Sequence, residues 1–198
     1  MARRCPVSRE DDDARAATVE RAKAGDPAAW TELHRDLAPA VAGYLRLRGA
    51  RDVDDLTSET FLGVFRNIGG FSGSPAQFRS WVFVVAHRRL QDDRRHRFRH
   101  PEEAVSPAAD PDGPMPDGVV AGDVEHDALR SMGAAGVRAL CERLAPDQGD
   151  VLILRILGDL TVDQVAEVVG KSPGAVKQLQ RRGLDALRRM ATTEGVPL

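Results

Sequence analysis

Apolar residues recur along most of this chain with the spacing of amphipathic helices. They return every three or four positions, and the alternation of Val, Ile and Thr that is typical of β-strands is absent. The pattern therefore predicts an all-α fold, with helices near 14–24, 27–48, 53–68, 75–99, 124–143, 147–157, 161–169 and 173–190.

Four of these helices have marked starts. Asp26-Pro27, Ser74-Pro75 and Ser172-Pro173 each combine a side chain that can accept a backbone hydrogen bond with proline at the first helical position. Thr161 and Gln164 have the spacing of a capping box. We expect a helix to begin at each of these four places.

A change in composition divides the chain. The segment 101–118 contains five of the twelve prolines and no apolar periodicity, and all nine aromatic residues precede it. We predict two small helical domains joined by a flexible, acidic, Pro-rich linker, because such a segment cannot bury an apolar face. The expected divisions are a disordered tail 1–13, a first domain 14–100, the linker 101–127, a second domain 128–190 and a tail 191–198.

The formal net charge of −2 conceals a segregated distribution. Residues 78–100 carry seven arginines and two aspartates, residues 101–127 carry eight carboxylates and no Lys or Arg, and residues 171–189 carry six Lys or Arg and one Asp. The corresponding net charges are +5, −8 and +5. Two basic blocks separated by an acidic one predict two polyanion-binding surfaces. Either block alone would equally fit a solvated helix face.

Several classes of protein are excluded by composition. The longest apolar run, 81–86, is far shorter than the about 20 residues of a membrane-spanning helix. The first residues, Met-Ala-Arg-Arg-Cys-Pro, lack the apolar core of a secretory signal. Two cysteines, Cys5 and Cys141, are too few for a disulfide framework or a thiolate metal site, and the five histidines show no ligand spacing. We therefore expect a cytoplasmic protein with no membrane insertion, metal or cofactor.

The segment 161–190 has the pattern of a DNA-binding helix-turn-helix. Ala166 is the small residue where the two helices touch, and Gly170 supplies the turn. The positions expected to pack are Val165, Val169, Val176 and Leu179. The other face of the second helix carries side chains that can reach bases and phosphates in a major groove, namely Lys177, Gln178, Arg181, Arg182, Arg188 and Arg189. The alternative is a packed helical hairpin with a solvated outer face.

The helix from residue 53 has an apolar face and a charged one. The apolar face, expected to build the core, consists of Val53, Phe61, Val64, Phe65 and Ile68. On the opposite face Leu62 is surrounded by charged residues, which suits a partner-docking surface. A lone exposed leucine with no role is the alternative.

The segment 67–74 contains three glycines around Phe71 and precedes a helix with aromatic and basic residues. Aromatic rings beside arginines suit melted or single-stranded nucleic acid, because bases stack and phosphates pair with guanidinium groups. Some of these rings must instead belong to the core, and we expect Trp81 there.

Taken together, residues 16–190 resemble bacterial RNA polymerase sigma factors of the extracytoplasmic-function (ECF) group. Residues 54–62 (DDLTSETFL) are similar to the family's polymerase-clamp helix, and residues 78–86 (FRSWVFVVA) to the start of its promoter-melting helix. Residues 140–189, with LAPDQ at 144–148, LT at 160–161, VA at 165–166 and GAVK at 174–177, are similar to its second DNA-binding domain.

The resemblance implies a role for each surface. Docking on the polymerase clamp is implied for Asp55, Ser58, Glu59, Leu62 and Arg66. Minus-ten recognition and melting is implied for Asn67, Phe71, Ser72, Arg79, His87, Arg88, Arg94 and Arg95. Minus-thirty-five recognition is implied for Ser172, Gly174, Lys177, Gln178, Arg181 and Arg182.

The resemblance further implies core RNA polymerase (clamp and flap), promoter DNA and an anti-sigma factor as partners, with the linker threading into the polymerase interior. It implies no catalytic residue. Thr57-Ser58 departs from the family's usual aliphatic-Gln pair, and Arg88 stands where Asn is common.

Two other functions are compatible with parts of this pattern. An operator-binding regulator would use the helix-turn-helix and never contact polymerase. An enzyme would need a cluster of His, Cys or carboxylate residues or a cofactor loop, and the sequence offers no such spacing.

Overall fold

The computed structural model describes residues 9–99 and 143–193. Seven α-helices account for most of these residues, and no strand occurs among them. Four helices form the N-terminal unit: α1 Arg9–Lys23, α2 Pro27–Leu47, α3 Val53–Asn67 and α4 Pro75–Arg99, with a 3₁₀ turn at Ile68–Gly70. Three form the C-terminal unit: α5 Pro146–Ile156, α6 Val162–Val169 and α7 Pro173–Thr193.

The caps predicted from the sequence are present. The Asp26 carboxylate accepts the Ala28 N–H at 2.8 Å. Both bonds of the Thr161–Gln164 capping box form, at 2.8 and 3.2 Å, and Ser74 and Gln77 make the same reciprocal pair before α4. Each cap satisfies N–H groups that the first helical turn leaves without a partner.

One boundary differs from the prediction, and other predicted elements lie outside the described residues. Helix α1 begins at Arg9, so the prediction of a disordered tail through residue 13 is wrong for residues 9–13. The acidic residues there lie in the first turns of a helix, where the helix dipole interacts favourably with negative charge. The predicted helix 124–143, apart from its last residue, the linker 101–127 and the ends of the chain beyond 9 and 193 are not described.

The buried apolar side chains of the two units form one continuous core. In the N-terminal unit α2 packs on α1, α3 and α4, and in the C-terminal unit the three helices pack on one another. The units meet where α6 packs on α4 and α5 on α2. Among the described residues the largest fully buried side chains are Tyr44, Phe83, Leu45, Leu90, Leu154, Leu160, Val41, Val64, Val82, Val151, Val165 and Val176.

Candidate nucleic-acid and partner interfaces

Helices α6 and α7 form a helix-turn-helix with the predicted packing. Gly170 ends α6 in the left-handed conformation, with φ 65° and ψ 36°, and its N–H donates to the Ala166 carbonyl. Ala166, Val165 and Val176 are buried between the helices. Ser172 caps α7 by accepting the Ala175 N–H at 3.2 Å. The turn therefore fixes how α7 projects from the unit.

The predicted recognition face of α7 is open to solvent. All of its implied DNA-contacting positions are exposed: Ser172, Gly174, Lys177, Gln178, Arg181 and Arg182. Because Lys177 and Arg181 are four residues apart, they lie one above the other on the helix surface. A polar, cationic helix face of this kind can enter a major groove.

The outer face of α3 combines charge with apolar surface. Leu62 is 51% exposed and Phe65 is 52% exposed. The predicted polar positions Asp55, Ser58 and Arg66 are exposed around them, and Glu59 lies 3.7 Å from an Arg89 guanidinium nitrogen. A contiguous apolar patch ringed by polar groups is typical of a protein–protein contact.

Phe65 was expected in the core, and that prediction is wrong. The other four residues of the apolar face, Val53, Phe61, Val64 and Ile68, are buried. The Phe65 ring instead lies at the edge of the unit against Trp30, with ring centroids 5.1 Å apart. Phe65 and Trp30 therefore enlarge the outer patch beyond the residues implied by the sequence.

The aromatic residues after α3 form a stacked cluster. The Phe71 ring stacks on Trp81 at 5.4 Å between centroids and meets Phe78 edge-on at 5.3 Å. Phe78 is buried, whereas Phe71 and Trp81 are half-buried. Trp81 therefore belongs to the rim of the core, while Asn67 and Ser72 beside the cluster are exposed. The Asn67 side chain donates to the Gly63 carbonyl at 2.8 Å.

The implied melting residues of α4 divide into two groups. Arg88 and Arg95 are exposed, and Arg95 pairs with Asp92 at 3.0 Å. Arg79, His87 and Arg94 instead turn toward the surface where the units meet. Arg79 donates from Nε to the Gly158 carbonyl at 2.6 Å.

A buried polar cluster lies at that meeting surface, and no sequence pattern predicted it. Asp150 of α5 is 2% exposed, and its Oδ1 accepts the Arg48 Nε–H at 2.6 Å. Tyr44 Oη lies 3.3 Å from the same carboxylate oxygen and 2.7 Å from His87 Nδ1. Arg94 donates to the Arg48 carbonyl at 2.9 Å.

Burial shifts the ionisation of two groups in this cluster. Loss of solvent raises the pKa of Tyr44 well above its usual value, and the Asp150 charge acts in the same direction. Loss of solvent also lowers the pKa of His87, because burial disfavours the imidazolium form. Both shifts favour the uncharged forms, a protonated phenol and a neutral imidazole.

Comparison with known proteins identifies the family. Residues 32–100 match Sigma-70 region 2, and residues 142–189 match Sigma-70, region 4. The ECF RNA polymerase sigma factor BldN of Streptomyces coelicolor is 34% identical over 191 residues, which cover 94% of this chain and 69% of BldN. The chain belongs to the ECF group of sigma-70 family sigma factors.

Two solved structures share the sigma-factor fold of this chain. One is CnrH in complex with the cytosolic domain of CnrY, with a TM-score of 0.64, 22% identity, and coverage of 91% of this chain and 99% of CnrH. The other is RpoE in complex with the anti-sigma factor NepR from Bartonella quintana. For RpoE the TM-score is 0.59 and the identity 17%, with coverage of 82% of this chain and 96% of RpoE.

The matched regions hold every implied site of this sigma factor. The α3 patch, the aromatic cluster and the basic face of α4 fall in region 2, and the exposed face of α7 falls in region 4. Within residues 9–99 and 143–193, no group of three metal-ligating side chains comes together. Over the same residues no helix has both the length and the apolar character to cross a membrane.

Proposed function

We propose that three surfaces divide the work of this sigma factor. The α3 patch docks on the clamp of core RNA polymerase, through Asp55, Ser58, Glu59, Leu62 and Arg66, with Phe65 and Trp30 added. The exposed face of α7 recognises the minus-thirty-five element, and region 4 also contacts the polymerase flap. The observation that carries the proposal is the exposure of Leu62 and Phe65 within a charged ring. An operator-binding regulator has no use for such a patch on α3, outside its helix-turn-helix.

The end of α3, the following loop and α4 recognise the minus-ten element. Asn67, Phe71 and Ser72 belong to this surface from the end of α3 and the loop, and exposed arginines such as Arg88 and Arg95 belong to it from α4. A half-buried ring stack beside guanidinium groups supports capture of an unstacked base and pairing with the phosphates of the melted strand.

The division of the chain follows from these roles. Residues 14–100 act as region two and residues 128–190 as region four. The acidic segment 101–127 runs as a linker through the basic interior of the polymerase, because its charge of −8 suits that path. The protein performs no catalysis of its own, requires no cofactor, and works in the cytoplasm beside the chromosome.

An anti-sigma factor is the further partner that we propose. RpoE from Bartonella quintana has been solved in complex with the anti-sigma factor NepR, and it shares the fold of this chain. A protein that covers the α3 patch would block polymerase binding through direct competition for the same apolar surface.

Core-polymerase binding and run-off transcription test the proposal. The double variant Glu59→Arg/Leu62→Ala removes an apolar anchor and reverses a charge at the centre of the patch. We expect a loss of polymerase affinity of about 2 kcal/mol or more, because truncation at the centre of an interface has effects of this size. Circular dichroism establishes that the helices remain.

A charge reversal elsewhere provides the control. Asp36 is exposed on α2, and Asp36→Arg should bind polymerase and initiate transcription as the unchanged protein does. If the folded double variant also matches the unchanged protein, the assignment of the α3 patch to the clamp is wrong.

A further inference from the structure

The most buried ion pair among the described residues joins the two units. The Asp150 carboxylate lies in the middle of α5, in the C-terminal unit, and its partners among the described residues lie in the N-terminal unit. These partners are Arg48 at 2.6 Å, Tyr44 at 3.3 Å and the Arg94 guanidinium at 3.7 Å. The Arg48 and Asp150 side chains are only 5% and 3% exposed. A charged pair excluded from water in this way is stable only while both partners remain in place.

The surface around this pair is shaped to admit it. Arg48 also donates from Nη2 to the Pro146 carbonyl, at 2.8 Å. Its guanidinium passes directly over Gly149, where an added Cβ atom would clash with Arg48 Nη1. Because glycine has no Cβ, position 149 permits this close approach, and a Cβ there would require the Arg48 guanidinium to shift.

A second set of contacts joins the same two units. Arg79 donates from Nε to the Gly158 carbonyl at 2.6 Å and from Nη2 to the Leu157 carbonyl at 3.3 Å. Gln164 donates from Nε2 to the Ala76 carbonyl at 2.9 Å. The start of α4 is thereby bound to the end of α5 and to α6.

We propose that these contacts form a latch, centred on Arg48 and Asp150, that holds this sigma factor closed and withholds Arg79 and Arg94 from nucleic acid. The latch stands on the contacts alone. Its consequence for DNA rests on the proposed function, extended to Arg79 and Arg94, for which the sequence resemblance implies contact with the minus-ten element. Across the meeting surface, Arg79 donates to two carbonyls and Arg94 pairs with the Asp150 carboxylate, so each guanidinium has fewer donors to offer a phosphate while the units are closed. Opening of the latch must therefore precede full contact with the strand.

Small-angle X-ray scattering on the full chain tests closure directly. Asp150→Asn keeps the shape of the side chain but leaves the buried Arg48 without a counter-charge. We expect the open form to gain at least about tenfold over the closed form, because an unpaired buried charge becomes hydrated on opening. The control is Asp147→Asn on the same helix, whose carboxylate pairs with Lys171 at 2.9 Å within the C-terminal unit. The radius of gyration should rise for Asp150→Asn and stay unchanged for Asp147→Asn.

Two further variants separate opening from misfolding. Gly149→Ala inserts a Cβ against the Arg48 guanidinium and should also open the chain, while alanine favours helix α5 itself. The paired change Arg48→Met/Asp150→Leu replaces the ion pair by apolar groups and should restore the closed form, because such exchanges are commonly neutral or stabilising. Circular dichroism should show unchanged helix content throughout. If Asp150→Asn and Gly149→Ala scatter as the unchanged protein does, no latch exists.

Binding of a fluorescent, mixed-sequence DNA single strand tests the consequence. If opening releases Arg79 and Arg94, Asp150→Asn should bind severalfold more tightly. The dependence of log affinity on log salt should also steepen by about 1.4 units, because each phosphate contact on a single strand adds about 0.7. An open Asp150→Asn chain with an unchanged slope would overturn the withholding of the two arginines. If no variant, opened or closed, binds the strand in a salt-dependent way, the proposed minus-ten surface itself fails, whatever scattering shows.

Discussion

Trp30 and Phe65 lie edge to face at the outer rim of the N-terminal unit, with ring centroids 5.1 Å apart and planes at 66°. Phe65 is 52% exposed in this arrangement, and Leu62 beside it is 51% exposed. Edge-to-face pairs are favourable beyond the area that they bury. The contact therefore holds an aromatic ring in place on a surface where it meets solvent.

Truncation of Phe65 separates binding from folding. Phe65→Ala should lower polymerase affinity by about 2 kcal/mol, because a held aromatic ring is a typical interface anchor. The free energy of unfolding should fall by less than about 1 kcal/mol, since half of the side chain is already in water. Titration with core polymerase and thermal unfolding measure the two effects. Phe98→Ala, at a position that is 90% exposed on α4, is the matched control. Equal polymerase affinity for both variants would exclude Phe65 from the docking surface.

Local features of the fold were predictable from the sequence. The starts of α2, α4, α6 and α7 followed from caps and prolines, whose bonds are completed within a few residues. The exposed basic face of α7 followed from the same helical period. Phe65 was misplaced because it lies at the margin of the apolar face of α3, about 60° from Leu62 on a helical wheel. Periodicity alone does not show how far the neighbouring helices cover that margin of α3.

The contacts between the units were beyond any such argument. Arg48 and Asp150 are 102 positions apart, and neither has a local pattern that indicates a buried partner. Arg48 directly follows α2, and a basic residue is common at the end of a helix because it interacts favourably with the helix dipole. His87 and Arg94 belong to a basic block that predicts nucleic-acid contact, and the same charge serves equally well in an ion pair. Only the packing of α5 on α2 and of α6 on α4 distinguishes the two uses.

Base recognition by α7 can be measured at a single side chain. Arg181 is exposed one turn beyond Lys177. Arg181→Ala should weaken binding by about 1–3 kcal/mol and relax preference at one position of the minus-thirty-five element, because a bidentate base contact discriminates by this amount. A binding array over all sequences of the element provides the measurement. Arg35→Ala, which removes an exposed arginine from α2, is the control. Uniform weakening across the array would mean that Arg181 contacts phosphate only.

Phosphate contact by α4 should appear in the salt dependence of binding. Arg88 and Arg95 are exposed, and the ion pair of Arg95 with Asp92 is exposed as well. If each arginine neutralises one phosphate, Arg88→Ala/Arg95→Ala should flatten the salt slope of promoter-complex formation by about two units. The measurement is the affinity of promoter-complex formation at salt concentrations from about 50 to about 200 mM. An unchanged slope would assign both side chains to a solvated face.

The turn of the helix-turn-helix depends on glycine. Gly170 has φ 65°, and a Cβ there would lie more than 4 Å from every described heavy atom outside the neighbouring residues. Gly170→Ala therefore costs conformational energy alone, and we expect a loss of about 1–2 kcal/mol in the free energy of unfolding. Gly174→Ala is the control, because that position is helical and equally open. Chemical denaturation measures both changes. If the two variants unfold alike, the left-handed turn contributes nothing to stability.

The imidazole of His87 should make stability depend on pH. Its Nδ1 lies 2.7 Å from Tyr44 Oη, and burial lowers its pKa in the folded chain. The unfolded chain, with a His pKa of about 6.5, therefore binds the proton more tightly than the folded chain does. By linkage, the contribution of His87 is fully present above that value and is lost as the pH falls below it toward the lowered pKa.

Thermal unfolding over a pH series provides the test. The melting temperature of the unchanged protein should fall as the pH decreases from about 7.5 through the unfolded pKa of about 6.5. His87→Gln removes the titrating group and should fall less over the same interval, although its stability at neutral pH is lower because the Tyr44 contact changes. His34→Gln, which removes an exposed imidazole beside Phe61, should keep the slope of the unchanged protein. Parallel curves for His87→Gln and the unchanged protein would show that protonation of His87 does not oppose folding.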